Sequence, residues 1–128
     1  MKKEVFTDLA PKAVGPYSQA IWAGNTLYCS GQIPLDPKTN EVVSGDIEVQ
    51  TKQVMENIKA LLGSQSLTLA QVVKTTIFLS DMSLFQKMNA VYESYMSKPY
   101  PARSTVAVKG LPKNVDVEIE VLVVTFKN

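Results

Sequence analysis

The sequence predicts an α+β fold in two layers, one mostly antiparallel β-sheet with two helices packed on one face. Three observations predict it. Segments with strand and helix periodicity follow one another in the order strands, helix, strand, helix, strands. Two of these segments place apolar residues at helical spacing. The last segment alternates strictly, so that Val115, Val117, Ile119, Val121 and Val123 form one apolar stripe.

The first strand predicted is Gln19 to Ala23, closed by Gly24-Asn25, a dipeptide suited to a tight hairpin turn. The strand after it runs from Leu27 to Ile33. Alternation points Leu27, Cys29 and Ile33 one way and Tyr28, Ser30 and Gln32 the other. Asp36 to Asn40 reads as a turn. A helix is expected from Asp46 to Gly63, with Ile47, Val54, Ile58, Leu61 and Leu62 as its apolar stripe and Glu48 and Lys52 on its wet side. Thr68 to Gln71 has the capping-box pattern, flanked by the candidate staple Leu67 and Val72.

Val73 to Leu79 is the next strand, rich in β-branched residues. Ser83 with Gln86 predicts the cap of the second helix. Phe85, Met88, Tyr92, Tyr95 and Met96 lie along one face of that helix, and Pro99 and Pro101 end it. Two strands close the chain, Arg103 to Val108 and Val115 to Phe126. The even-numbered side of the last strand carries Asp116, Glu118 and Glu120, then turns apolar at Leu122 and Val124. That mixed face needs cover at one end, and self-association is a natural source of it.

Length and composition fit one domain spanning residues 1–128, with 45% hydrophobic and 20% charged residues. The net charge of +1 gives no strong field for nucleic acid or anionic membrane. Cys29 is the single cysteine, so no intramolecular disulfide forms. Glu4 and Asp8 follow the basic start where a signal peptide would be apolar, and no run is long enough to span a bilayer. The expected location is the cytosol.

The chain has no histidine. Ser-His-Asp and Cys-His machinery and HExxH zinc sites are therefore excluded. Neither a nucleotide-binding glycine motif nor paired CxxC is present. Any chemistry must come from carboxylates, Arg, Lys, Tyr, hydroxyls, Cys29 or backbone amides, with no metal or cofactor expected.

Arg103 starts a strand, with the small residues Thr105 and Ala107 on its face. Such a guanidinium can clamp a carboxylate at two points, although a surface ion pair is the plainer reading from spacing alone. Glu118 and Glu120 share one face. Either can handle protons if partly buried, or both can simply be solvated, and alternation does not choose between them. Tyr17 follows Gly15-Pro16 on a turn, offering its ring to a ligand or to the core. Gly31, after Ser30, interrupts a strand and marks a bulge or a close approach. Asn89 falls off the stripe of Met88 and Tyr92 and reads as solvated. Cys29 reads as a small core residue.

Four segments are informative together: Gly15-Pro16-Tyr17-Ser18-Gln19-Ala20, Ser30-Gly31-Gln32-Ile33-Pro34, Pro101-Ala102-Arg103-Ser104 and Val117-Glu118-Ile119-Glu120. In order and spacing they resemble the reactive intermediate deaminase A (YjgF/RidA) family, over essentially the whole chain. The resemblance implies a chorismate-mutase-like fold and a homotrimer with a ligand cleft at each subunit interface. It also implies hydrolysis of enamine or imine products released by pyridoxal-phosphate dehydratases, giving 2-keto acids and ammonia. By the same resemblance Arg103 clamps the substrate carboxylate and Glu118 positions the attacking water. Tyr17, Ser30, Gly31 and Asn89 line the cleft. Thr105 stands where many members have cysteine. The family uses mainly the backbone N–H there for the carboxylate, so the resemblance implies that threonine leaves the site working and argues against a role for a thiol. A non-catalytic binder of small 2-keto acids that regulates a partner is the alternative. RNA cleavage is a further one, against which the neutral charge and missing histidine weigh.

Overall fold

Alternating and helical segments fold as two layers in a computed structural model that describes residues 1–125. The elements in chain order are β1 (Lys2–Val5), β2 (Ala20–Ala23), β3 (Thr26–Cys29), β4 (Leu35–Asp36), β5 (Glu41–Val42), α1 (Ile47–Gly63), β6 (Val72–Leu79), α2 (Phe85–Tyr95), β7 (Ala102–Ala107) and β8 (Val117–Val124). Six strands make one sheet in the order β1-β2-β3-β8-β6-β7, and β4 with β5 make a small hairpin. Every neighbour in the large sheet is antiparallel except β6 and β7. A parallel pair needs a long crossover, and α2 supplies it. The expected fold class is the observed one. Phe126, placed in the last strand on sequence grounds, lies outside the described residues.

The odd stripe of β8 packs inward as patterned, with Val117, Ile119 and Val123 fully enclosed. The stripe of α1 meets it through Val54, Ile58, Leu61 and Leu62, and α2 adds Met88 and Tyr92. The other face of the sheet carries no helix. Tyr28 and Val106 stand on it about half exposed.

Local signals explain most element boundaries. Gly24 takes a φ of 62° at the β2–β3 turn, a left-handed conformation that glycine adopts without a Cβ clash. Asp46 caps α1 by accepting from Val49 N at 3.1 Å. The Thr68–Gln71 box is present on a short 3-10 turn.

Two expectations about the second helix are corrected. Ser83 does not cap the second helix; Asp81 accepts from Ser83 N at 2.8 Å and starts a 3-10 turn that feeds α2. A short acidic side chain two residues ahead competes well for that N–H. The helix also stops at Tyr95, ahead of Pro99.

The strand from Leu27 to Ile33 breaks after Cys29. Tyr28 pairs with Leu122, and the next bridge joins Gln32 to Ile119. Four steps on one strand thus face three on the other, a one-residue bulge at Ser30-Gly31. The extra residue inverts the alternation. Gln32 is buried, and Ile33 turns toward a cleft on the uncovered face.

A polar network anchors the start of β8. Gln50 on α1 donates to Asp116 Oδ2 at 3.1 Å and accepts from Asp116 N at 2.9 Å. Ser80 donates to Asp116 Oδ1 at 2.7 Å. Glu118 sits two residues further on.

Candidate functional site

Glu118 points from β8 toward the uncovered face, opposite Phe78 on β6. It is half-buried in a cleft of about 530 Å³ that also takes in Tyr17, Ser30, Gly31, Ile33 and Glu120. The bulge brings the Gly31 backbone against its carboxylate. A Cβ added at Gly31 would overlap Glu118 Oε2 and lie 2.9 Å from Cδ. A side chain at this position would push the Glu118 carboxylate aside, and no unusual backbone angle is involved. Burial, and then the negative charge of Glu120, raise the Glu118 pKa above the ordinary carboxylate value. Lys12 and Lys113 also border the cleft.

The loop bearing Tyr17 is held by a residue to which sequence reasoning assigned no role. Gln19 is buried; its Oε1 accepts from Thr7 N at 2.8 Å, and its Nε2 donates to the carbonyls of Thr7 at 3.0 Å and Pro11 at 2.8 Å. Ser30 joins the same loop, donating from Oγ to Ser18 O at 2.6 Å. Tyr17 is 52% exposed, so its ring does not cover the core.

Arg103 lies elsewhere. It is the second residue of β7, in register with Thr75 of β6. Thr75, Ile77 and Leu79 are the buried, helix-side residues of β6, so Arg103, Thr105 and Ala107 share the helix side. Arg103 Nη1 donates to Asn89 Oδ1 at 2.6 Å. Its guanidinium borders a second cleft of about 410 Å³ with Asn89, Tyr92, Glu93, Tyr100 and Pro101. Asn89 is therefore half-buried and engaged, where periodicity predicted a solvated residue. Thr105 Oγ1 is enclosed without a hydrogen-bond partner.

The candidate residues thus fall into two separate clusters. Tyr17, Ser30, Gly31 and Glu118 gather on the uncovered face, and Arg103 and Asn89 gather on the helix side at the β7 edge. Arg103 and Glu118 leave opposite faces of the sheet and line different clefts. Cys29 is buried, and its thiol pKa is pushed up to about 12 by burial, which leaves it an inert core residue. Among the described residues no group of three or more His, Cys, Asp or Glu is placed to hold a metal ion. Among them, too, no helix is long and apolar enough to cross a membrane.

Residues 7–125 match the family described as Endoribonuclease L-PSP. A RutC family protein of Pyrococcus horikoshii is 55% identical, with 95% of this chain and 97% of that protein covered. A protein of Dermatophagoides farinae named 2-iminobutanoate/2-iminopropanoate deaminase is 45% identical over 96% of both chains. The crystal structure of RidA from an Antarctic Psychrobacter species superposes with a TM-score of 0.92 at 46% identity, covering 96% of this chain and 99% of that one.

Proposed function

The chain belongs to the YjgF/RidA family, the one described as Endoribonuclease L-PSP, and from that premise we propose that it hydrolyses reactive 2-imino acids to 2-keto acids and ammonia. The observation that carries this reading is Glu118. A half-buried carboxylate with raised proton affinity, pressed against a glycine at the back of a cleft, is arranged to handle protons. A protein that only held a small carboxylate would need Arg103 and no such acid. The deaminase name of the 45% identical relative supports the same reaction class.

In this reading Arg103 holds the substrate carboxylate through paired N–H donors. Ionised Glu118 orients a water and takes a proton from it as the oxygen adds to the C=N carbon. The resulting carbinolamine receives that proton on nitrogen; Glu118, ionised again, then takes the hydroxyl proton as the C–N bond breaks, so that ammonia leaves and the oxygen becomes the C=O of the keto acid. Tyr17, Ser30 and Gly31 wall the reacting end. Thr105 contributes through its backbone, because its hydroxyl is enclosed. The sequence of steps requires no cofactor.

The separation of the two clusters supports assembly as a homotrimer. The Arg103 edge of one subunit then meets the Glu118 face of its neighbour, and the uncovered sheet face gains its cover. The physiological source of substrate would be a pyridoxal-phosphate dehydratase, working in the cytosol.

The direct test supplies threonine and a threonine dehydratase, then follows 2-oxobutanoate release with and without this protein. Acceleration that depends on Glu118 is expected. Absence of acceleration, with 2-oxobutanoate still bound, would leave a regulatory binder as the better reading. An RNA substrate in a parallel arm should remain uncut.

A further inference from the structure

Phe85, Asn89 and Tyr92 stand at i, i+4 and i+7 of α2, one stripe along the helix. All three meet the same side chain of β7. The Arg103 guanidinium carbon lies 5.5 Å from the Phe85 ring centroid and 5.2 Å from that of Tyr92. Its Nη1 donates to Asn89 Oδ1. Tyr92 is itself fixed, being 5% exposed with its hydroxyl 3.0 Å from Thr75 Oγ1. Thr75 is the register partner of Arg103, so the ring is tied to the strand pair that presents the arginine.

The chemistry of these partners is selective. An aspartate or glutamate would orient a guanidinium but also neutralise it and occupy its two-point edge. Aromatic faces attract the cation without using an N–H donor. A neutral amide takes one of the five donors and leaves the charge intact. The guanidinium is therefore oriented before a ligand arrives, with its charge and most of its donors still available.

We propose that Phe85, Asn89 and Tyr92 are positioning residues that preset Arg103 for a carboxylate ligand; this rests on the reading of Arg103 as the clamp. The gain is in preorganisation, which removes part of the cost of ordering a long side chain on binding.

The test titrates 2-oxobutanoate into variants and measures steady-state kinetics. Phe85→Leu keeps an apolar side chain but removes the ring face. Its affinity should fall about fivefold, with KM rising in step and kcat within about twofold, as for a contact made equally in ground and transition states. Phe85→Tyr restores the ring and should return affinity to within about twofold of wild type. A merely structural role would not follow ring character in this way. Asn89→Ala, at a half-buried position, provides a second measurement if Phe85→Leu melts well below wild type, and should lose about three- to tenfold in affinity. Wild-type affinity in Phe85→Leu and Asn89→Ala, while Arg103→Ala fails to bind, overturns the cradle and leaves the clamp standing. Wild-type affinity in Arg103→Ala overturns the clamp and the cradle with it.

Discussion

A carboxylate held half-buried beside a second carboxylate keeps its proton to higher pH than one in water. Glu118 is in that position, with burial as the larger cause and Glu120 as the smaller. The folded chain binds a proton at Glu118 over a pH interval in which the unfolded chain has lost it. Stability therefore falls as pH rises through that interval. Glu118→Gln should melt above wild type at pH 7, and the difference should vanish as pH drops below about 4, where both forms are neutral. The same substitution should cut imine turnover by about 100-fold or more while 2-oxobutanoate affinity stays near wild type. Glu120→Gln removes only the minor cause. It should leave maximal turnover within a few-fold and move the acid limb of the pH profile to lower pH, read from kcat/KM against pH. A dead Glu120→Gln beside an active Glu118→Gln would reverse the assignment. The parity of β8 placed both acids on one face. The family resemblance singled out Glu118 as the working acid, and the bulge brings the Gly31 backbone against it.

Short elements deliver these side chains, and each depends on a few polar contacts. The loop before β2 hangs on Gln19, whose amide serves Thr7 and Pro11. Gln19→Leu removes the partner of the Thr7 N–H and of the carbonyls of Thr7, Ala10 and Pro11 and should cost about 3 kcal/mol in urea unfolding. Turnover should fall with it, since Tyr17 rides on that loop, whereas the Arg103 cradle on the other side is untouched. The entrance to α2 gives a sharper comparison. Asp81→Ala should lower the melting temperature, and Ser83→Ala should be close to silent in the same scan. Sequence pattern favoured Ser83 because it stands three residues before Gln86, as a capping box requires. The observed cap belongs to a 3-10 turn one step earlier, a geometry that helical spacing does not encode. Where one periodicity ran without interruption, as in α1 and β8, the reading held.

At the scale of the whole molecule the decisive fact is that Arg103 and Glu118 face opposite sides of one sheet. If a neighbouring subunit completes each site, two inactive variants should repair one another. Arg103→Ala and Glu118→Gln subunits, unfolded together and refolded at equal amounts, form mixed trimers in which one interface unites an intact Arg103 with an intact Glu118. Activity should recover to about a quarter of wild type from two nearly dead proteins. Light scattering should give about three times the 14.1 kDa chain mass. No recovery from verified mixed trimers would place the whole site within one subunit, against the sheet geometry.

The sequence alone determined several features that depend only on neighbouring residues. The β8 stripe, the α1 stripe, the Gly24-Asn25 turn, the Thr68–Gln71 box and the short list of chemically able side chains all follow from periodicities and caps of a few residues. Tertiary structure decided which side of the sheet each of those side chains occupies. Arg103 faces the helices because β7 pairs in parallel with β6 at Thr75, and Gln32 and Ile33 exchange faces because one extra residue enters opposite Ile119. Both depend on register between strands far apart in the chain. Register is settled by packing across the sheet, and a shift of one residue moves every side chain that follows to the other face.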